Sequence, residues 1–449
     1  MADQKYPLES LFGRILSPFE DFLRRTAAGG IVLVLATIAA LVLATWLGDV
    51  RVHHAWERTL GITQGTFNLD LTLHEWVNDA LMAIFFLLVG LELKREILVG
   101  ELSSLRDASF PVIAALGGMV VPACIYATLN AGTPTEAGWG IPMATDIAFA
   151  VGLLVLLGDR VPRSLTIFLT ALAIADDLGA VLVIAIFYTD QLDVPALRAC
   201  GALFVLLVLF NRGGVRHPLP YALVGVMLWF YVLVSGVHAT IAGVLLALTI
   251  PARGAYSPEQ FEKRIEELHK ALQADRQDAG TADDPLRNHR MSSIAEATEK
   301  VAAAVQSPLR RFEHLLTPWV AFVIIPTFAL ANAGIDLTEV AWGEALSSKV
   351  TLGVMLGLFL GKFAGISIFG AIAAWTGLGR LPAGVRWPHV LGAAWLSGIG
   401  FTMSLFISQL AFEDQATLEQ AKLGILVGSF AAAIVGFTWL WLVHRRQGR

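Results

Sequence analysis

Charge is scarce in this chain: 15% of its 449 residues are Asp, Glu, Lys or Arg, against 56% hydrophobic. A soluble domain of this length could not keep so much apolar surface from water. That shortage excludes an ordinary soluble enzyme and predicts an all-α polytopic membrane protein. Cysteine is almost missing as well. Cys124 and Cys200 both fall in apolar stretches, which excludes a disulfide framework. His53 and His54 stand together without further ligands, so they make no metal site. A cleavable secretory signal is not expected, because the first 28 residues are polar and mixed and the first apolar run is long enough to span.

Within residues 1–28, Leu8, Leu11, Phe12, Ile15, Leu16, Phe19, Phe22 and Leu23 recur at helical spacing among Arg14, Arg24 and Arg25. This predicts an amphipathic segment on the membrane surface, bent at Pro18; a disordered tail is the alternative. Apolar segments of spanning length follow near 29–48, 77–98, 109–130, 139–157, 165–188, 196–211, 219–235, 238–251, 317–334, 350–375, 389–411 and 422–443. An even number places both termini on one side. With those termini cytoplasmic, sixteen Lys and Arg residues fall on short inner segments and five on outer loops, the bias expected of positive-inside topology. The resulting division is a cytoplasmic head (1–28), eight spans (29–251), a cytoplasmic insertion (252–312), four spans (313–443) and a cytoplasmic tail (444–449). In the insertion, Phe261, Ile265, Leu268 and Leu272 form one helical stripe and Ile294, Ala297, Val301 and Val305 another, with a polar stretch at 275–284 between them. A helical hairpin is predicted there, either regulatory or partner-binding, or a passive insertion.

The scarcity of charge makes its intramembrane exceptions informative. Asp176 and Asp177 are adjacent in an apolar span, where each carboxylate costs at least about 3 kcal/mol. Such a pair points to a bound cation or proton. Neighbours on a helix point about 100° apart, so one carboxylate can face an ion while the other answers to a separate partner. Thr145 and Asp146 follow Pro142, where a helix is interrupted and begins again; Asp146 either neutralises that helix start or binds the ion. The run from Ser397 to Ser404 has two glycines with Ser and Thr. It reads as an unwound cavity wall or as small residues for tight packing. Two such interrupted segments, one in each part of the chain, point to an inverted repeat with a site at its centre. Lys362 lies near the middle of a span and needs a carboxylate or carbonyl dipoles; snorkelling to an interface is the alternative. At one end of span 77–98, Glu92, Lys94, Arg95 and Glu96 cluster, with Asp79 at the other end; Glu313 and His314 precede span 317–334. On physics alone these inner charges read as a solvated helix end, and His238 as a packing residue.

The strings Asn78–Asp79–Ala80–Leu81–Met82, Gly90 to Glu96, Ala144 to Ala150, Asp176 to Ala180, Ser235 to Thr240, Phe312–Glu313–His314, Gly398 to Ser404 and Lys422 to Ser429 resemble, in order and over nearly the whole chain, the bacterial NhaA-type Na⁺/H⁺ antiporters. That resemblance implies about twelve transmembrane helices, an inverted-repeat fold with two interrupted helices crossing at mid-membrane, and cytoplasmic termini in the bacterial inner membrane. It implies electrogenic exchange of cytoplasmic Na⁺ or Li⁺ for external protons, serving pH and sodium homeostasis, with no cofactor. Asp177 would be the principal cation ligand and Asp176 its partner and the mate of Lys362. Asp146 would balance helix ends, with Thr145 in or beside the site, and Glu92, Glu96, Glu313 and His314 would serve the pH response. Residues 56–70 match the family's outer hairpin, a dimer contact, in position; a homodimer is expected, with neither nucleic acid nor a soluble partner. The chain departs from the family pattern in the length of 252–312 and in Thr317, where some members carry His. Three other classes remain open: a substrate–cation symporter, which needs a roomier polar cavity; a channel, which would not couple ion to proton; and an intramembrane aspartyl protease, whose Gly-x-Gly-Asp motif is missing.

Overall fold

The architecture is that of a computed structural model, which describes residues 28–64, 67–189, 192–278, 289–338 and 340–447. The amphipathic segment expected before residue 28 lies outside the described residues.

Seventeen helices make up the described chain. The first, α1 (Ala28–Leu47), and the short α2 (Asp49–Trp56) lead to an antiparallel hairpin, β1 (Thr59–Gln64) with β2 (Phe67–Thr72), in which Thr59 pairs with Thr72. There follow α3 (Leu73–Val99), α4 (Leu105–Asn130), a 3₁₀ segment (Glu136–Met143) and α5 (Ile147–Leu156). Next come α6 (Arg163–Phe187), α7 (Val194–Arg212), α8 (Pro218–Val234) and α9 (Ile241–Thr249). The insertion holds α10 (Pro258–Asp278) and α11 (His289–Val305). The last part comprises α12 (Pro308–Asn332), α13 (Trp342–Ser347), α14 (Lys349–Trp375), α15 (Trp387–Leu396), α16 (Phe401–Ala411) and α17 (Gln415–Gln447).

Among the described residues, nine spans are long and apolar enough to cross a membrane, and α15 with α16, bent by 46°, makes a tenth. The other two apolar segments read from the sequence are the shorter α8 and the nine-residue α9. The chain is an all-α polytopic membrane protein.

Local sequence explains where the helices start. Thr72 and Glu75 form a capping box at the start of α3. Asp193, Ser307 and Ser348 each accept a first-turn amide, and Pro follows within α7 and α12 where a missing N–H does no harm. Packing then depends on small residues. On α1, Leu33, Ala36, Ala40 and Ala44 face inward at helical spacing while Leu35, Ile38, Val42 and Trp46 face outward. On α14, Gly353, Gly357, Gly361 and Gly365 recur every fourth residue along the face that meets α4. A Cβ at Gly361 would stand 2.9 Å from Pro122 Cα, and one at Gly365 would collide with the Gly117 backbone. The same stretch, Gly357–Gly361, is π-helical and delivers Lys362 to the interior.

In the insertion, Phe261, Ile265, Leu268 and Leu272 are half-buried against α11, whose Ile294, Ala297 and Val305 are likewise half-buried and Val301 buried. The two expected stripes therefore face one another. Most of the polar stretch between them lies outside the described residues. The hairpin's two ends meet: the Ala255 amide donates to the Ala304 carbonyl (2.7 Å), and the Leu309 amide to the Pro251 carbonyl (3.1 Å).

Candidate functional site

Two helices break where the sequence has Pro142 to Asp146 and Ser397 to Gly400, and the breaks are laced to each other. The Asp146 amide donates to the Ile399 carbonyl (2.6 Å), and the Ser404 hydroxyl to the Ile141 carbonyl (2.7 Å). Thr145 Oγ1 lies 2.9 Å from the Ser397 carbonyl oxygen and 2.6 Å from Asp176 Oδ2. Its single proton serves one of the two at a time.

Asp146 caps two helices at once. Its Oδ1 accepts from the Phe149 amide (3.0 Å) at the start of α5. Its Oδ2 accepts from the Thr402 amide (3.1 Å) and hydroxyl (2.6 Å) at the start of α16. Of the two roles open to Asp146 in the sequence, this geometry is the one that neutralises helix starts. Each helix start presents roughly half a positive charge, so two of them match one carboxylate.

Asp176 and Asp177 are both buried on α6. The Lys362 ammonium donates to Asp176 Oδ2, joining α14 to α6. Asp176 thus has its counter-charge. Asp177 does not: it is 1% exposed, it feels the charges of Asp176, Asp146 and Glu92 as well as that of Lys362, and its Oδ1 has no hydrogen-bond partner among the described residues. Asp176 Oδ1 is likewise unpartnered. Most buried polar atoms in proteins are hydrogen-bonded, so two orphaned oxygens on successive residues point to something that binds there. Carboxylate and hydroxyl oxygens are hard donors, suited to hard cations and to protons. Among the described residues no group of three or more His, Cys, Asp and Glu side chains comes together as a metal cage.

The inner cluster is partly assembled. Arg95 donates from Nε to Glu313 Oε1 (3.1 Å) and pairs through its terminal nitrogen with Glu96 (3.3 Å), joining α3 to α12. Glu92 lies within electrostatic reach of all three. His314 is exposed beside this cluster, and Thr317 donates its hydroxyl to the Glu313 carbonyl of its own helix (2.6 Å). His53 and His54 both pair with Glu57.

Two polar arrangements were not readable from the sequence. The Lys94 ammonium lies 3.4, 2.7 and 2.5 Å from the Ala247, Leu248 and Ile250 carbonyl oxygens, closing the C-terminal end of the short α9. At the other end of α3, His74 Nε2 lies 3.0 Å from Asn332 Oδ1, and Asn332 Nδ2 donates to Asn78 Oδ1 (3.0 Å). Asn78 Nδ2 returns to His74 Nδ1 at 3.3 Å. This closed ring ties α3 to the end of α12.

The family model described as Na⁺/H⁺ antiporter 1 matches residues 20–440. A Na⁺/H⁺ antiporter NhaA of Syntrophobacter fumaroxidans is 58% identical over 97% of this chain and 93% of its own length. The NhaA of Acidithiobacillus ferrooxidans is 55% identical over 97% of this chain and 99% of its own. That of Helicobacter pylori is 45% identical over 95% and 96%. The bounds of the family match, 20–440, enclose both interrupted helices.

Proposed function

This chain belongs to the Na⁺/H⁺ antiporter 1 family, and from that premise we propose that it exports Na⁺, or Li⁺, across the bacterial inner membrane in exchange for protons, the two competing for Asp176 and Asp177. One observation supports this reading above the rest. Of the three buried carboxylates at the crossing, Asp146 is matched by two helix starts and Asp176 by Lys362, which leaves Asp177 to a proton or a cation.

The cycle follows from charge accounting. With both termini cytoplasmic, Na⁺ enters from the cytoplasm and bridges Asp177 and Asp176, with Thr145 beside them. Protons leave as it binds. A tilt of one helical bundle against another presents the loaded pair outside, where protons displace the ion and the carrier returns. A Na⁺ that displaces the Asp177 proton and takes Asp176 from the Lys362 ammonium, which then gives up a second proton, moves one net charge per cycle. The membrane potential then contributes about 2.3 kcal/mol per 100 mV to export. Glu92, Glu96 and Glu313, tied by Arg95, serve as the pH-responsive group, with His314 at its edge. The hairpin at 59–72 provides the contact of a homodimer.

The test is Na⁺-dependent ΔpH in everted vesicles across a pH series. Uphill proton movement on adding Na⁺ or Li⁺ is expected, with no organic solute required. Downhill leakage without coupling, or a requirement for a co-substrate, would overturn the reading.

The insertion is dispensable for exchange. Because Ala255 and Ala304 already meet backbone to backbone, replacing residues 256–303 with a short Gly/Ser link should preserve both folding and the exchange rate within about twofold, as for removal of a self-packed surface unit. A folded but inactive deletion would give the hairpin a working role.

A further inference from the structure

The string from Lys422 to Ser429, one of those that carry the resemblance, has no part in the exchange chemistry above. Its spacing is nevertheless specific. Gly424 and Gly428 lie one turn apart on α17 and face α14, the helix of Lys362. A Cβ on Gly424 would stand 2.8 Å from the Thr351 carbonyl oxygen, and one on Gly428 would stand 3.2 Å from Met355 Cα. Only small residues allow that approach. The Thr351 hydroxyl completes the contact by donating to the Gln420 carbonyl (2.9 Å).

This close contact sets the next residue, Ser429, against the start of α16. Ser429 is 5% exposed, and its Oγ accepts from the amides of Gly400 and Phe401, both at 3.3 Å. The first amides of a helix have no partner within it. At α16 they are divided: two go to the Ser429 hydroxyl and the third, that of Thr402, goes to Asp146. Two elements far apart in sequence therefore share one helix start.

We propose that Ser429 is a positioning residue for exchange at the Asp176–Asp177 pair, acting through Asp146. By holding two amides, it leaves Asp146 Oδ2 to Thr402 and keeps that carboxylate balanced between α5 and α16. Without the hydroxyl, the Gly400 and Phe401 amides lose their acceptor, and Asp146, already bound to the neighbouring Thr402 amide, is drawn toward them. More of the Asp146 charge is then spent on α16 and less of its field reaches Asp177, so Na⁺ binds less well. The inference rests on the exchange reading of the aspartate pair.

The test uses the full chain in proteoliposomes, with initial Na⁺-driven rates over a Na⁺ series for wild type, Ser429→Ala, Ser429→Thr and Asp177→Asn. At a pH alkaline enough that protons do not compete, Ser429→Ala is expected to raise the apparent KM for Na⁺ about 3- to 10-fold, the factor carried by one or two neutral hydrogen bonds. Its maximal rate should stay within about twofold, and Ser429→Thr, which keeps the acceptor, should restore KM. If Ser429→Ala is not stably produced, Ser429→Cys, a weak acceptor of similar size, is read by the same criterion. An unchanged KM, or a lower maximal rate at unchanged KM, overturns the positioning role; so does a folded Ser429→Thr that fails to restore KM. An active Asp177→Asn would instead overturn the exchange reading itself, whereas wild-type KM in Ser429→Ala beside an inactive Asp177→Asn overturns this inference alone.

Discussion

Asp177→Asn is expected to end Na⁺-dependent proton movement in everted vesicles while leaving the protein at least as stable as the parent. Asn matches Asp in shape but neither releases a proton nor offers a charge to Na⁺. The Asp177 side chain has a buried Oδ1 without a hydrogen-bond partner, so the neutral amide removes a source of strain instead of a support. Asp176→Asn should also lose exchange, yet it should destabilise, because the Lys362 ammonium stays buried without its carboxylate. Breaking a buried pair from one side costs about 3–5 kcal/mol. Thermal unfolding in detergent would show the two asparagine variants moving in opposite directions. Normal exchange in Asp177→Asn would sink the assignment of the site. Equal destabilisation of both variants would remove the division of labour between the two aspartates.

That division was half legible in the sequence. Two carboxylates in an apolar span announce a site, and helical geometry separates the directions of Asp176 and Asp177. The residues by themselves do not say which one Lys362 meets, because that depends on the packing of α14; only the family resemblance names Asp176. The packing is set by the glycines at 353, 357, 361 and 365, whose four-residue spacing is plain once α4 is known to lie against them. Glycine in an apolar span has several uses, and only the neighbouring backbone shows which applies.

Side-chain-to-backbone contacts were the least legible. Lys94 reads as one more basic residue at a helix end, yet its ammonium caps α9, more than 150 residues away. Ser429 reads as one small residue among several in α17, yet it holds amides of α16. Carbonyl and amide partners leave no trace in composition, because every residue has them. Periodic features fared better. The apolar stripes of α10 and α11 were readable because burial repeats with the helical turn, and they are the faces that meet. The interrupted helices were legible for a related reason: Pro142 removes an amide, and Thr145 and Asp146 favour a fresh start, which is where α5 begins.

Lys362 should prove to be a residue of stability as much as of transport. It is among the largest fully buried side chains, and its partner Asp176 also faces the Thr145 hydroxyl. Lys362→Ala removes the counter-charge and leaves a gap where the four-methylene stem lay, so both the ion pair and packing are lost. A destabilisation of several kcal/mol is expected, of the order of 3–5 for the unpaired charge before any cavity contribution. Exchange should fall severely or shift its pH profile, because Asp176 then holds its proton under different conditions. Lys362→Met separates the two effects by refilling the space without the charge. Pairing it with Asp176→Asn removes both charges together, and the double variant should be more stable than the two single losses would sum to. A double-mutant cycle on the unfolding midpoint measures this directly. Strict additivity would mean that the ammonium and the Asp176 carboxylate do not compensate each other. Asp177 could then no longer be singled out as the one carboxylate at the crossing without a counter-charge.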